Sequence, residues 1–261
     1  MRYCRFLTPQ GPQYGAVETV NGSDTITRLL PAFAEDVGCV LSGAEFAAVP
    51  LKDAWLLPPV LPSKIICVGR NYRAHASELG NEVPSEPLLF FKPPSAIIGN
   101  GEAIVRPKIS QRVDYEGELG IVIGKRCSKL AQEEDVREYI RGYTVVNDVT
   151  ARDLQKKDSQ WARAKGFDTF CPVGPVVTDE IEPFAGVELT TRLNEEEKQR
   201  GNTGDFIFDI PTMLRYISAI FTLEPGDLIA TGTPSGVSPM QAGDVVEVTV
   251  EGIGTLRNTV A

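Results

Sequence analysis

Histidine is almost missing from this chain: His75 is the only one in 261 residues. That excludes sites built on two or three imidazoles, the His-Glu-x-x-His zinc motif among them. Cysteine is sparse too. Cys4, Cys39, Cys67, Cys127 and Cys171 are scattered, odd in number and form no Cys-x-x-Cys pair. Neither a disulfide framework nor a thiolate zinc site is indicated, and they read as small buried apolar residues. No apolar stretch approaches the roughly 20 residues a membrane-spanning helix needs. Met1-Arg2-Tyr3-Cys4-Arg5-Phe6 lacks a signal-peptide core, so the cytoplasm is the expected compartment. Positive charge is in deficit, with a net charge of −9, which argues against a nucleic-acid partner. Gly-x-Ser-x-Gly is absent, so no serine nucleophile elbow is supported. There is no internal repeat and no low-complexity tract.

What the chain does have is carboxylates in suggestive places. Glu116 and Glu118 sit in Asp114-Tyr115-Glu116-Gly117-Glu118-Leu119-Gly120-Ile121-Val122-Ile123, and Asp148 closes Tyr143-Thr144-Val145-Val146-Asn147-Asp148. Both segments read as strands. Side chains two apart on a strand share a face, roughly 7 Å apart at Cα. Alternating charge is also what a half-exposed antiparallel strand carries. The adjoining apolar runs favour burial, and like charges buried together call for a hard divalent cation held by oxygen: Mg²⁺, Mn²⁺ or Ca²⁺.

The organisation is that of a mixed, β-rich α+β fold. Residues 1–57 read as short strands and turns forming a small N-terminal domain, with a possible short helix over Leu29 to Leu41. A proline-rich linker at 58–63 precedes a second, larger domain at 64–261. Helical patterns are expected over Asn71 to Leu79, Glu133 to Ile140, Ser159 to Lys165 and Ile210 to Phe221, and a loop over Asn81 to Pro87. Glu195 to Asn202 reads as a charged, solvated turn. The remaining apolar runs, through the tail, read as strands.

Further residues carry possible chemistry. His75 and Glu78 are spaced i, i+3 on the short helix, so the carboxylate can orient the imidazole; the alternative is an exposed helix pair. Arg70, Lys92, Gln155 and Lys165 are polar side chains whose residue types alone favour solvent. Thr231-Gly232-Thr233-Pro234-Ser235-Gly236 can present backbone N–H groups to an anion or be an ordinary tight turn, and it lacks the Gly-Lys-Ser/Thr ending of a P-loop.

Taken together, several segments resemble the fumarylacetoacetate hydrolase family. They are Val68-Gly69-Arg70-Asn71-Tyr72 with His75 and Glu78-Leu79-Gly80; Phe91-Lys92-Pro93; Asp114-Tyr115-Glu116-Gly117-Glu118-Leu119; Asn147 to Gln155; Lys165-Gly166-Phe167-Asp168; and Thr231 to Val237. The resemblance implies a rolled, mixed β-sheet core and a homodimer. It implies Glu116, Glu118 and Asp148 as ligands of Mg²⁺ or Mn²⁺, and Lys165 and Gln155 as holders of substrate oxygens. It also implies Thr233 as a substrate contact and His75–Glu78 as a water-activating dyad on a segment that closes over ligand. The substrates implied are small 2-oxo acids. Three carboxylates and one divalent cation leave the site net negative, so an anionic substrate needs Lys165, with Arg70 or Lys92. A metal Lewis acid stabilises the enolate at the 2-oxo oxygen. From it, C–C hydrolysis of acylpyruvate-type 2,4-dioxo acids is the first expectation. The alternatives are a 2-hydroxy-diene-dioate (5-carboxymethyl-2-hydroxymuconate-type) isomerase, an oxaloacetate decarboxylase, or a non-catalytic calcium-stabilised binding protein.

Overall fold

The structure is a computed structural model that describes residues 1–39, 46–78, 80 and 82–261. It is β-rich, with four short α-helices among the described residues, at Arg73–Glu78, Arg152–Lys157, Ala162–Lys165 and Ile210–Ile220. None of these is long and apolar enough to cross a membrane.

A 12-stranded sheet forms the frame. Its central strands, Cys171–Thr178, Ile140–Asn147, Gly117–Ile123 and Leu228–Ala230, pair antiparallel; Leu228–Ala230 then pairs parallel with Ile65–Gly69, and Leu88–Lys92 closes that edge. The N-terminal strands Arg2–Thr8, Gly11–Val20 and Ser23–Leu30 continue the same sheet, because Arg2–Thr8 pairs with Cys171–Thr178. A 5-stranded sheet (Glu196–Asn202, Glu188–Leu193, Val245–Val250, Gly254–Val260 and Ala103–Ile104) packs against the frame. A 2-stranded pair, Val113–Asp114 with Thr150–Ala151, lies beside the site.

The central strands are covered on both faces, so they read as unbroken apolar runs rather than alternating ones. Gly117–Ile123 and Cys171–Thr178 are buried throughout. Each fully buried Ile, Val or Leu there contributes about 1.5–3 kcal/mol. Helix Ile210–Ile220 buries Ile210, Met213, Leu214 and Ile217, the spacing of one helical face; Asp209 caps it by accepting the Thr212 N–H at 2.8 Å.

Three expectations are corrected. Leu29 and Leu30 belong to strand Ser23–Leu30, and the described residues that follow Pro31 form turns, not a helix; positions 40 and 41 of that stretch lie outside the described residues. Glu195 to Asn202 is no solvated turn: Glu196–Asn202 is a strand paired with Glu188–Leu193 through a two-residue hairpin at Asn194 and Glu195, both at positive φ. Glutamate in the second left-handed position, where glycine is usual, hid that hairpin. Over Glu133 to Ile140 the helix shrinks to a single 3₁₀ turn, Val136–Tyr139. Leu79 and Asn81, ends of the expected helix and loop, lie outside the described residues.

Candidate metal centre and active site

Strand Gly117–Ile123 and strand Ile140–Asn147 are neighbours, in register from Gly117 opposite Asn147. Glu118 lies in the first; Glu116 and Asp148 flank the paired ends. Asn147 Oδ1 accepts the Glu116 N–H at 3.0 Å, and Glu116 C=O accepts the Asp148 N–H at 2.8 Å. The result is a buried cluster in which one oxygen from each of Glu116, Glu118 and Asp148 lies within 4.8 Å of the others.

Cations surround two of the three carboxylates. Lys165 Nζ donates to Glu116 Oε2 at 2.7 Å and to Asp148 Oδ2 at 2.5 Å. Lys92 Nζ donates to Asp148 Oδ1 at 2.6 Å. Arg152 donates to Glu116 Oε1 at 2.5 Å, to Asp114 Oδ2 at 2.9 Å and to Gln155 Oε1 at 2.7 Å. Glu118 makes no ion pair among the described residues; it accepts one backbone N–H, from Gly232, at 2.7 Å. Gly232 adopts φ +101°, and a Cβ there would lie 2.7 Å from Asn71 Cβ, so glycine is required for that approach.

The electrostatics follow this geometry. Burial, with the charges of Asp148 and Glu116, pushes Glu118 well above its ordinary pKa. Burial acts the same way on Glu116, but Lys165 and Arg152 outweigh it and hold the carboxyl well below the usual range. Burial disfavours the charged Lys165, yet Asp148 and Glu116 raise it to about 12. The donor set is all oxygen and buried, and Glu118 makes no ion pair among the described residues. Those residues fit a hard divalent cation, and not a soft one.

The other residues named from sequence converge on the same place. Arg70, His75, Gln155, Lys165 and Thr233 line a cavity of about 50 Å³ together with the three carboxylates. Lys92 reaches it through Asp148. Glu78 lines an adjoining outer cavity. His75 is buried, with Nδ1 3.4 Å from Glu78 Oε2, while Glu78 Oε1 accepts the Gly236 N–H at 3.0 Å. A carboxylate at Nδ1 favours the tautomer that leaves Nε2 as the acceptor. Burial lowers the His75 pKa below its ordinary value of 6.5, against the pull of Glu116 and Glu78.

The family model described as "Fumarylacetoacetate (FAA) hydrolase C-terminal" matches residues 64–261. The chain belongs to the fumarylacetoacetate hydrolase family. A second model, "Rv2993c-like, N-terminal", matches residues 1–59. The chain is 51% identical over 263 residues to Protein Rv2993c of Mycobacterium tuberculosis, covering 100% of this chain and 98% of that one. It is 46% identical over 198 residues to the mitochondrial oxaloacetate decarboxylase of Dictyostelium discoideum, covering 74% and 90%. Among solved structures it matches a 2-hydroxyhepta-2,4-diene-1,7-dioate isomerase from Mycobacterium marinum, at 42% identity and a TM-score of 0.87, covering 100% and 98%. Members of the fumarylacetoacetate hydrolase family are enzymes, and this chain is one of them.

Sequence reasoning passed over residues that hold this family member's site together. Arg152 lies in the run Asn147 to Gln155, from which Asp148 and Gln155 were singled out and Arg152 was not. Asn71 ties the turn after Ile65–Gly69 to the glycine-rich turn: Nδ2 donates to Thr231 C=O at 2.9 Å and Oδ1 accepts the Phe208 N–H at 2.8 Å. Gln199 is buried in the misread strand. Its Oε1 accepts the Gly117 N–H at 3.1 Å, and its Nε2 donates to Thr233 Oγ1 and Pro234 C=O, both at 2.8 Å. One side chain thus joins the peptide between Glu116 and Glu118 to the turn that holds Glu118. Gln199→Leu strands a buried N–H, which costs about 1–3 kcal/mol. It should also weaken Mg²⁺ binding by about tenfold, as loss of support behind metal ligands does. Thermal melting and titration calorimetry measure the two effects; unaltered Mg²⁺ affinity would leave Gln199 with a structural role only.

Proposed function

We propose that this protein is a divalent-metal-dependent enzyme, using Mg²⁺ or Mn²⁺, that moves a proton on the enol form of a small 2-oxo acid. The observation that carries this reading is Glu118, a buried carboxylate that makes no ion pair among the described residues, facing Glu116, Asp148, Lys165 and His75 across one cavity. Glu116, Glu118 and Asp148 would hold the cation, which when bound supplies positive charge for the substrate's 2-oxo and carboxylate oxygens.

The chain's own residues do the rest. Lys165 spends two N–H groups on Glu116 and Asp148 and has a third for a substrate oxygen. Arg152 engages Gln155 Oε1, which leaves the Gln155 amide N–H groups to donate into the cavity. His75 Nε2 carries the proton between the carbon beside the 2-oxo group and the 2-oxo oxygen, which interconverts keto and enol forms, with Glu78 steadying the imidazole. Phe90 and Trp161 line the cavity and limit water.

Sequence reasoning put C–C hydrolysis of acylpyruvate-type acids first. The narrow cavity, and relatives named as a diene-dioate isomerase and an oxaloacetate decarboxylase, favour isomerisation or decarboxylation instead. Hydrolysis remains the second reading because the His75–Glu78 pair is also what water activation needs. Incubation with Mg²⁺ and oxaloacetate, acetylpyruvate or a hydroxymuconate-type acid separates them. Enol–keto conversion or CO₂ release with slow acetylpyruvate cleavage is expected; rapid acetylpyruvate cleavage alone sinks the preferred order.

His75→Ala should lower the rate by about 10²–10⁴, and an unchanged rate would remove the proton-transfer role. Because the imidazole pKa is lowered, His75 stays neutral at pH 7, and the acid limb of the pH–rate profile should fall below 6.5. A limb above that value contradicts the assignment. We propose a homodimer as well, to be read by light scattering.

A further inference from the structure

Arg112, Arg163 and Arg200 each set Nε and Nη2, the donors on one edge of the guanidinium, on both oxygens of a single carboxylate. Their partners are Asp114, Asp158 and Glu197 in turn. That two-point grip is the strong form of an arginine–carboxylate contact. Arg152 does not make it. Its Nε donates to Asp114 Oδ2 at 2.9 Å, while its Nη2 donates to Glu116 Oε1. The edge that would grip one carboxylate is divided between two. Nη1 goes to a third acceptor, Gln155 Oε1, at 2.7 Å.

Asp114 explains the division. The Arg152 side chain is only 3% exposed, so each of its donors needs an acceptor inside the protein. Asp114, itself fully buried, supplies one to Nε. The backbone fixes it there. Val113–Asp114 pairs antiparallel with Thr150–Ala151, Asp114 opposite Thr150, and the Arg152 N–H donates to Arg112 C=O at 2.8 Å. Tyr115 turns the other way, to Gly236 and Ser238, which leaves the carboxylates of Asp114 and Glu116 on one side of the extended chain. With a neutral group in place of Asp114, the carboxylate left to that edge of Arg152 is Glu116, and Nε and Nη2 would both turn to it. Glu116 is one of the three carboxylates of the candidate cation site. A guanidinium across both of its oxygens competes directly with a divalent cation for them.

We propose that Asp114 is a positioning residue: by engaging Nε of Arg152 it keeps that guanidinium from closing over Glu116, and so keeps Glu116 open to the cation. It rests on the metal reading of the carboxylate cluster. Arg112 works against Asp114, because it draws on both of its oxygens from the outer side, where the Arg112 side chain is 44% exposed.

Mg²⁺ titrated calorimetrically into the full-length protein and its variants tests the role. Asp114→Asn keeps the shape and removes the charge. It should weaken Mg²⁺ binding by about tenfold or more, the effect of losing a group that supports a metal ligand. In an Arg152→Met background the same change should have little effect, since no guanidinium is left to close over Glu116, and the double-mutant cycle reads that coupling. Arg112→Gln, at the solvent end, should shift the affinity the other way, towards tighter binding, and again only while Arg152 is present. It also gives an answer should Asp114→Asn fail to fold. Equal Mg²⁺ affinity of wild type and Asp114→Asn, a loss just as large in the Arg152→Met background, or no change in Arg112→Gln overturns the role of Asp114 alone. Absence of Mg²⁺ binding by the wild type overturns the metal reading and this role with it.

Discussion

Glu118→Gln is expected to raise the melting temperature of the metal-free protein by about 2–4 °C, the shift of roughly 1 kcal/mol in a chain of this size, while abolishing Mg²⁺ binding. Glu118 is 2% exposed, stands near two other carboxylates and accepts only the Gly232 N–H. Its charged form is disfavoured by burial and by Asp148 and Glu116, and the nearby Lys165 charge offsets this only in part. Glutamine keeps the shape, can still accept from Gly232, and offers an amide N–H to its acidic neighbours. A ligand residue then stabilises the protein when its ligating power is removed, the usual trade between function and stability.

The pH dependence has the same sign. Burial and the neighbouring charges raise the folded pKa of Glu118 above its ordinary 4.5. Its contribution to stability is therefore full below 4.5 and lost as pH rises through the folded value. The gap between Glu118→Gln and wild type in chelator should widen with rising pH. Melting in EDTA across that range, followed by Mg²⁺ titration, measures both halves. A lower melting temperature for the variant would show that the carboxylate is not strained; a surviving Mg²⁺ shift would take Glu118 out of the ligand set.

How much of this was legible depends on whether the information is local. The apolar runs around Ile65–Gly69, Gly117–Ile123 and Ile140–Asn147 announce strands because each is covered on both faces. Their pairing is not local: that Arg2–Thr8 adds to Cys171–Thr178, making the N-terminal strands one sheet with the rest, is written in no short pattern. The residues that line the inner cavity come from segments as far apart as Val68 and Thr233. They were nameable because each segment carries its own short signature, and the resemblance set them side by side. Gln199 had no such signature. It lies in a run of charges whose alternation was obscured by the hairpin at Asn194 and Glu195, and what makes it matter is a long-range bond to Gly117. Arg70 was named from its own run, but that its guanidinium makes no ion pair is visible only once its neighbours among the described residues are known.

Lys165→Met should separate metal binding from turnover. The Lys165 ammonium is 2% exposed and bridges Glu116 and Asp148. Removing it leaves both carboxylates with less compensation than their burial demands, a loss of about 3–5 kcal/mol for a broken buried pair. That corresponds to a fall in melting temperature of roughly 10 °C in the metal-free protein. A divalent cation restores positive charge to the same oxygens, so Mg²⁺ should recover much of the lost stability and bind the variant more tightly than the wild type. Turnover should nevertheless fall by about 10²–10³, the cost of losing one donor aimed at developing negative charge, because the third N–H of Lys165 serves the substrate and no cation on the carboxylates replaces it. Parallel Mg²⁺ titrations and rate measurements on the variant decide the matter. If Mg²⁺ affinity and rate fall together, Lys165 acts by arranging the ligands; if affinity rises while the rate falls, the ammonium acts on the substrate itself.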